Sequence, residues 1–272
     1  MNLLFSINRK FIPLWEQCMA TILRHGGAAH YDVYVLHSDL TGEDGARMQA
    51  ALRPQDSCTL VRVPEGLFEG FPETGRYPVQ IYYRLAAPLL LPEALNRILY
   101  LDVDTVVLNS LEPLYTSDFA GAAFMACSHT RKFLDKVNQA RLGLEDGVRY
   151  LNSGVLMMDL ALLRRTLRLE DIRDYAERYK NRLILPDQDI LTGLFGDKAL
   201  VLDSRIYNMT DRLYVRCSAL PSERLSLDWV RQNTVVVHYL GKPKPWQKNY
   251  IGPLGVFYQE ELALTRAAAE EA

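Results

Sequence analysis

The chain has 272 residues, of which 49% are hydrophobic and 24% charged, and its formal net charge is −2. This size and composition predict one globular domain over residues 1–272, with a helical tail from about residue 255 to the end. The near-neutral charge and the lack of a Lys/Arg-rich run exclude a surface that tracks a phosphate backbone, so we expect no nucleic-acid partner.

The first part of the chain alternates between strand and helix patterns. Apolar runs predict strands over residues 3–6, 31–36 and 58–63, and helical spacing predicts helices over residues 11–23 and 41–52. The second helix opens with Thr41 and Asp44 in the arrangement of a capping box. This β-α-β-α-β order predicts a parallel sheet with helices on its faces.

The same α/β pattern continues through the rest of the chain. Residues 64–78 are rich in proline and glycine and predict a loop, and the spacing beyond them predicts a helix over 79–90. Further segments predict strands over 97–101, 122–126, 154–158, 199–202 and 234–238, and helices over 160–182 and 187–195. Ligands of such open sheets bind beyond the carboxyl ends of the strands, where Asp102, Asp104 and His238 fall.

Several features favour a cytoplasmic protein. The apolar run at residues 3–7 is too short for a signal peptide and is followed at once by Arg9 and Lys10. No stretch approaches the ~20 apolar residues of a membrane span, so we expect at most peripheral membrane contact. The four cysteines are far apart, which indicates free thiols.

Two carboxylates follow the strand over residues 97–101. Asp102 and Asp104 are separated by one residue, and in extended chain such residues point to the same side. Like charges side by side are costly unless a cation lies between them. The pattern therefore predicts a divalent metal site that faces a ligand, most simply a diphosphate.

His238 ends the apolar strand over residues 234–238. A single histidine at a strand end is usually structural, but the loop that follows contains Gly241, which permits close backbone approach to a phosphate, and Lys244, which supplies a positive charge. Two carboxylates and one imidazole form a hard site that suits Mn²⁺ or Mg²⁺.

The roles of three further polar segments stay open from spacing alone. Arg84 lies either on an exposed helix face or near the acidic pair, oriented by Tyr82 or Tyr83. Asn152 and Ser153 precede Gly154 in a pattern typical of turns, and they could also contact a ligand. The segment of Asp187 and Gln188 begins a helix, where acidic residues favour the helix dipole, and it could equally reach sugar hydroxyls.

Taken in order, these segments resemble the retaining glycosyltransferases of family 8, whose best-described bacterial members are lipooligosaccharide galactosyltransferases. Six stretches carry the resemblance and span most of the chain: Tyr83-Arg84-Leu85, Leu99-Tyr-Leu-Asp-Val-Asp104, Leu111-Glu-Pro-Leu-Tyr115, Leu151-Asn-Ser-Gly-Val155, Asp187-Gln-Asp-Ile-Leu191 and His238-Tyr-Leu-Gly-Lys-Pro-Lys-Pro-Trp246.

The resemblance implies a GT-A fold, an αβα sandwich with a mostly parallel central sheet and a Rossmann-like nucleotide-binding half. It implies transfer of a hexose from a UDP-sugar to a carbohydrate or glycolipid acceptor, in bacteria a cell-surface glycan or lipopolysaccharide. It also implies the site residues: Mn²⁺ or Mg²⁺ held by Asp102, Asp104 and His238; the diphosphate bound by Gly241 and Lys244; the donor bound by Asn8, Arg84, Asp102, Val103, Asn152 and Ser153; and Asp187 and Gln188 as the catalytic pair.

Two positions depart from the family's pattern. Where the family usually has an aspartate that contacts the uracil, this chain has Asn8, whose amide can still pair with the base. Many members also place an aspartate against a donor hydroxyl after the strand over 122–126, where this chain has Cys127, Ser128 and His129. Glucose is therefore at least as plausible a donor sugar as galactose.

Gln188 also bears on the mechanism. Retaining glycosidases use a carboxylate nucleophile, whereas an amide is a poor nucleophile, so we favour attack from the leaving-group side.

Three rival functions remain open. The first is a sugar-nucleotide pyrophosphorylase, although that class needs an N-terminal glycine-rich loop and the first glycine here is Gly26. The others are a nucleotide-sugar-binding protein with impaired catalysis and a self-glucosylating primer like the glycogenin branch of the family.

Overall fold

The computed structural model describes residues 1–73, 78–130, 132–219 and 225–270. The strands are β1 (Asn2–Ser6), β2 (Asp32–His37), β3 (Ser57–Arg62), β4 (Arg97–Leu101), β5 (Thr105–Val107), β6 (Phe124–Cys127), β7 (Val155–Asp159), β8 (Ala199–Leu202) and β9 (Val236–His238). The α-helices are α1 (Ile12–His25), α2 (Gly42–Ala50), α3 (Ala87–Leu90), α4 (Glu112–Thr116), α5 (Lys132–Leu142), α6 (Leu160–Thr166), α7 (Leu169–Tyr179), α8 (Pro186–Phe195), α9 (Ser204–Tyr207), α10 (Asp211–Ser218), α11 (Leu227–Asn233) and α12 (Gly255–Glu270). Short 3₁₀ helices cover Arg9–Phe11, Val79–Ala86 and Gly196–Lys198.

Seven strands form the central sheet, in the order β3-β2-β1-β4-β7-β6-β8. Neighbouring strands pair in parallel except at β7, which runs antiparallel to both β4 and β6. The prediction of a mostly parallel sheet built from alternating strands and helices is confirmed.

Helices cover both faces of this sheet because its central strands are apolar on both sides. Successive side chains of a strand point to opposite faces. Within β1, Leu4 belongs to one hydrophobic core, whereas Leu3 and Phe5 belong to the other. Trp15 of α1 packs into the core with Phe5, and Leu163 of α6 packs into the core with Leu4. The result is an αβα sandwich with the polar site at the carboxyl edge of the sheet.

A second sheet of two strands, β5 and β9, lies beside this edge. The strands are antiparallel, and His238 is the register partner of Thr105. The peptide N–H of Tyr239 also donates to the carbonyl of Asp104, at 3.0 Å. His238 thus ends a strand, as predicted, but that strand pairs with β5 outside the central sheet, and this pairing carries His238 to the acidic pair.

The segment predicted as one helix over residues 160–182 is two helices, α6 and α7. Leu167 and Arg168 are extended between them, and the carboxylate of Asp171 accepts a hydrogen bond from the backbone N–H of Arg168, at 3.0 Å. Leu167 is buried. The break between the helices therefore places this apolar side chain in the core, where a continuous charged helix would not place it. The single-helix prediction is therefore wrong.

Two other regions differ in detail from the prediction. The helix predicted over residues 79–90 is a 3₁₀ helix, Val79–Ala86, followed by the single α-turn of α3. Residues 74–77 of the predicted loop lie outside the described residues. The capping box at Thr41 and Asp44 is confirmed, since each side chain accepts a hydrogen bond from the other residue's backbone N–H.

Helix α12 packs against α1. Phe257 is fully buried, and the carboxylate of Glu261, itself buried, pairs with Arg24 and His25 at the end of α1. Among the helices of the described ranges, none combines the length and apolar composition that a bilayer span requires.

Candidate active site

Asp102 follows β4 directly, and one of its two carboxylate oxygens is fully engaged. Oδ1 accepts hydrogen bonds from the hydroxyl of Tyr100, at 2.6 Å, and from the guanidinium of Arg84, at 2.9 Å. The backbone N–H of Asp102 donates to the carbonyl of Gly154 on the neighbouring β7 side, at 2.8 Å. These contacts fix the carboxylate and leave Oδ2 for another partner.

Asp104 precedes β5 and is engaged in a similar way. Its Oδ2 forms an ion pair with the ammonium group of Lys244, which also donates to the carbonyl of Tyr239, at 2.5 Å. Burial opposes ionisation of Asp104, but its interactions with His238 and Lys244 outweigh burial and hold the pKa of the carboxyl below its ordinary value. The oxygen Oδ1 faces His238.

His238 presents one nitrogen to both carboxylates. The side chain is 1% exposed, and its Nδ1 lies 3.0 Å from the side-chain oxygen of Asn208. Its Nε2 lies 3.2 Å from Asp104 Oδ1 and 3.7 Å from Asp102 Oδ2, and it has no hydrogen-bond partner among the described residues.

The three free ligand atoms, one from each of Asp102, Asp104 and His238, lie within 4.8 Å of one another. Ligands of Mn²⁺ or Mg²⁺ lie about 2.0–2.3 Å from the ion, so two ligands of one ion are separated by up to about 4.6 Å, close to the span of this cluster. A buried imidazole nitrogen that faces two carboxylates fits a divalent cation. The residues predicted as metal ligands from separate segments are therefore brought together.

Gly154 leaves the space in which this cluster sits. A Cβ atom at this position would lie 2.1 Å from Cε1 of His238 and 2.8 Å from Oδ2 of Asp102. Real Cβ atoms do not approach other atoms so closely. The sequence pattern suggested only a turn glycine, whereas the structure requires glycine here so that the imidazole can lie against the start of β7.

Arg84 lies at the acidic pair and not on an exposed surface. It is 7% exposed, its guanidinium lies 4.4 Å from the ring centroid of Tyr100, and it donates to the carbonyl of Ser153, at 2.7 Å. Burial opposes the charged form, but Asp102 outweighs it, so the pKa of Arg84 is raised. The predicted orientation by Tyr82 or Tyr83 is wrong, because the aromatic ring against the guanidinium is that of Tyr100.

The segment of Asn152 and Ser153 meets the start of α8. The hydroxyl of Ser153 donates to Asp187 Oδ2, at 2.6 Å. The side-chain oxygen of Gln188 accepts from the amide nitrogen of Asn152, at 2.8 Å, and from the backbone N–H of Ser153, at 3.3 Å. Burial raises the pKa of Asp187, while Arg84 and the Ser153 hydroxyl act in the opposite direction. The structure thus joins these polar residues in one hydrogen-bonded group, so their contacts are not limited to a turn or to the helix dipole.

The remaining predicted site residues have local roles in the described structure. The side-chain oxygen of Asn8 accepts from the backbone N–H of Lys10, at 3.1 Å, and so caps the turn at Arg9–Phe11. Gly241 has a φ of +82°, a conformation that favours glycine, in the loop between β9 and Lys244. Val103 packs against the hydrophobic core between the two aspartates.

Two residues of the site were not predicted as site residues, although His129 lies where the chain departs from the family's pattern. Asn208 is fully buried, and its amide nitrogen donates to the side-chain oxygen of Asn152, at 2.8 Å. His129 donates through Nε2 to the backbone carbonyl of Asn208, at 2.7 Å. Burial lowers the pKa of His129 to about 4, so the ring is neutral near pH 7, and its Nδ1 has no partner among the described residues.

The chain is similar to proteins of one known family. The family model described as "Glycosyl transferase family 8" matches residues 2–250. Lipopolysaccharide 1,2-glucosyltransferase of Escherichia coli K12 is 25% identical over 269 residues, which cover 95% of this chain and 76% of that protein. Lipopolysaccharide 1,3-galactosyltransferase of Salmonella typhimurium LT2 is 23% identical over 268 residues, which cover 94% and 76%.

A solved structure of similar fold also matches most of the chain. The crystal structure of galactosyltransferase LgtC in complex with donor and acceptor sugar analogues superposes with a TM-score of 0.82 at 26% identity, and the match covers 97% of this chain and 95% of that one. The chain belongs to glycosyltransferase family 8 and has the GT-A fold.

Proposed function

We propose that this protein is a cytoplasmic, metal-dependent, retaining hexosyltransferase that moves glucose or galactose from a UDP-sugar to a cell-surface glycan or lipopolysaccharide acceptor. Relatives named for glucosyl and for galactosyl transfer to lipopolysaccharide support this proposal. The observation that carries it is the convergence of Asp102, Asp104 and His238 within 4.8 Å, beside the polar residues of α8.

In this proposal, Asp102, Asp104 and His238 hold Mn²⁺ or Mg²⁺. When bound, the ion supplies Lewis-acid stabilisation of the negative charge that develops on the leaving diphosphate. Arg84 neutralises Oδ1 of Asp102, and this keeps the two carboxylates close together at a tolerable electrostatic cost.

Lys244 and Gly241 would bind the diphosphate. Lys244 already lies at the edge of the cluster through its ion pair with Asp104, so a small rotation of its flexible side chain would place the ammonium group against a phosphate oxygen. Fixed positive charge at the point where negative charge develops is usually a large catalytic term, and removal of one such group typically costs about 10²–10³ in rate.

Asp187 and Gln188 would position the donor sugar. The side-chain oxygen of Gln188 already accepts two hydrogen bonds, from Asn152 and from the Ser153 backbone, which makes it a still poorer nucleophile than a free amide. This supports attack from the leaving-group side, with the leaving phosphate accepting the proton of the acceptor hydroxyl. Asp187, held by Ser153, would stabilise positive charge on the sugar or bind its hydroxyls.

The nucleobase would meet Asn8. Its side-chain oxygen caps the turn that follows, which leaves the amide nitrogen to donate to a carbonyl oxygen of uracil. The uncharged polar residues Ser128 and His129, where many family members have an aspartate, fit glucose as well as galactose.

A thermal-shift panel tests the proposal. A ligand that binds the native state raises its stability by mass action, so UDP-glucose or UDP-galactose should raise the unfolding temperature in Mn²⁺ and much less in EDTA. Slow hydrolysis of that donor in Mn²⁺ should release the sugar, and NMR of the transfer product should show the anomeric configuration retained. Failure of every UDP-hexose to shift the unfolding temperature would contradict the proposal, and an inverted product would contradict its stereochemistry.

Matched incubations separate the proposal from its rivals. UTP with glucose-1-phosphate should yield no UDP-glucose, whereas a pyrophosphorylase would form it. Binding of a UDP-sugar without hydrolysis or transfer would indicate an impaired enzyme. A mass increase of the intact protein in UDP-glucose would reveal self-glucosylation.

A further inference from the structure

We propose that Asn208 is a positioning residue that couples the two halves of the site through its single side-chain amide. On one side it determines which ring nitrogen of His238 faces the metal site, and on the other it holds the Asn152 amide against Gln188. The inference rests on the proposed function, because it assigns Asn208 a role toward both the cation and the donor sugar.

The chain of amides is oriented from two backbone groups that can only donate. The N–H of Gly154 donates to the side-chain oxygen of Asn152, at 3.1 Å, so the nitrogen of that amide points to Gln188. The N–H of Ser153 donates to the side-chain oxygen of Gln188, at 3.3 Å. Since that Gln188 atom is an acceptor, the Asn152 atom that faces it must be the NH₂ group, which gives the same orientation of Asn152. The orientations of both amides therefore follow from the fixed backbone.

The same logic extends to His238. The atom of Asn208 that faces the Asn152 oxygen must be its NH₂ group, at 2.8 Å, so the oxygen of Asn208 faces Nδ1 of His238, at 3.0 Å. An oxygen there requires that Nδ1 carry the proton. The lone pair of a neutral His238 ring is then on Nε2, the atom aimed at Asp102 and Asp104, as metal ligation through Nε2 requires.

Asn208 is held rigidly enough for this role. The side chain is fully buried, the backbone N–H donates to the carbonyl of Ser204, at 3.2 Å, and the backbone carbonyl accepts from His129. The next residue, Met209, accepts a hydrogen bond from the backbone N–H of His238, at 2.8 Å. Since the backbones of residues 208 and 238 are tied together, the amide and the imidazole keep their separation.

Two substitutions separate the two halves of the role. Asn208→Asp keeps an oxygen that accepts from His238 Nδ1, but it removes the NH₂ group and sets one oxygen against the oxygen of Asn152. Asn208→Ala removes both contacts. If Asn208 only filled space in the fold, the aspartate and alanine variants would have the same metal affinity.

The experiment measures Mn²⁺ affinity in the absence of donor, from the EPR signal of free Mn²⁺, together with kcat and KM for donor hydrolysis. We expect Asn208→Ala to lose about 10–100-fold in Mn²⁺ affinity, the usual effect when the partner of a metal-bound histidine is removed, and to lose kcat as well. We expect Asn208→Asp to keep the Mn²⁺ affinity or increase it, while kcat at saturating Mn²⁺ falls about tenfold or more.

Asn109→Ala is the matched control. Its side-chain amide also makes two hydrogen bonds, to the carbonyls of Arg231 at 3.0 Å and Thr234 at 2.6 Å, in a part of the fold that does not contact the cluster. It should change the unfolding temperature and leave Mn²⁺ affinity and kcat as in the wild type. If Asn208→Ala does not fold, Asn208→Ser, whose shorter hydroxyl cannot reach both partners, replaces it.

The outcomes separate this inference from the proposed function. If the wild type binds Mn²⁺ and hydrolyses a UDP-hexose while both Asn208 variants match it in affinity and kcat, the coupling through Asn208 is refuted and the proposed function stands. An equal loss of Mn²⁺ affinity in Asn208→Asp and Asn208→Ala would also refute it. If the wild type neither binds Mn²⁺ nor acts on any UDP-hexose, the proposed function fails, and the inference fails with it.

Discussion

The two halves of the candidate site are built from different chemistry. The half at the ends of β4 and β9 is charged, with Asp102 paired to Arg84 and Asp104 paired to Lys244. The half at the start of α8 is mostly neutral, with the amides of Asn152 and Gln188 in one hydrogen-bonded chain.

This difference predicts how each half responds to change. Charge interactions fall off slowly with distance, whereas hydrogen bonds weaken steeply with a small misalignment. Removal of one charged side chain should therefore impair the whole charged half and cause a large loss of activity. Changes in the amide half should cause smaller losses of activity. The predictions below test this contrast, from the largest expected effect to the smallest.

The largest effect is expected for Asp104→Ala. This change removes a proposed metal ligand and leaves the partly buried Lys244 and the buried His238 without their carboxylate partner, so transfer should be nearly abolished, by about 10³-fold or more. Initial rates at saturating Mn²⁺ and donor measure it. Asp171→Ala is the matched control, because Asp171 also forms an ion pair, with Arg168 at 2.8 Å, but on the exposed side of α7. A rate for Asp104→Ala within tenfold of the wild type would contradict a metal at this site.

Gly154→Ala should also damage the charged half. The new Cβ would meet His238 Cε1 at 2.1 Å, so the imidazole must move, and we expect a loss of about 10–100-fold in Mn²⁺ affinity. Gly42→Ala is the control, since nothing lies within 4 Å of a Cβ at that position. Mn²⁺ titration of both variants measures the effect, and equal affinities would show that His238 is not held in place by this close approach.

Gln188→Ala tests the amide half. Because its side-chain oxygen is already bound by Asn152 and Ser153, we expect it to position the sugar and not to attack it. Measurable transfer should therefore persist, with a loss smaller than that of Asp104→Ala in the same steady-state assay. The reverse order, with Gln188→Ala the more damaged enzyme, would overturn same-face attack and favour a covalent intermediate on this residue.

The charged half could largely be anticipated from the sequence, because its signal is local. Asp102 and Asp104 follow an apolar strand, and His238 ends another, so residue type and strand-end position suffice to suggest a metal site. Even the correct aromatic partner of Arg84 had a local signal, since Tyr100 lies two residues before Asp102 and so on the same side of the strand.

The amide half depends on contacts between distant segments, and the sequence carries little trace of them. Asn208 contacts Asn152 and His238, and Gly154 lies against His238; the partners in each contact are far apart along the chain and meet only in the fold. The break between α6 and α7 was missed for a similar reason, since burial of Leu167 overrides the helical tendency of the charged residues around it.

The smallest effect is expected where the nucleobase would bind, for Asn8→Asp. The aspartate keeps the cap on the Lys10 N–H, since aspartate and asparagine cap helices equally well, so stability should not change. Its second oxygen could then accept from N3–H of uracil, a net gain of about 1 kcal/mol, or a severalfold lower KM for a UDP-hexose. Cytosine has no proton on N3, so the KM for the CDP-hexose should rise. KM values of both donors with both proteins measure this, and a KM for the UDP-hexose that rises in Asn8→Asp would place the base elsewhere.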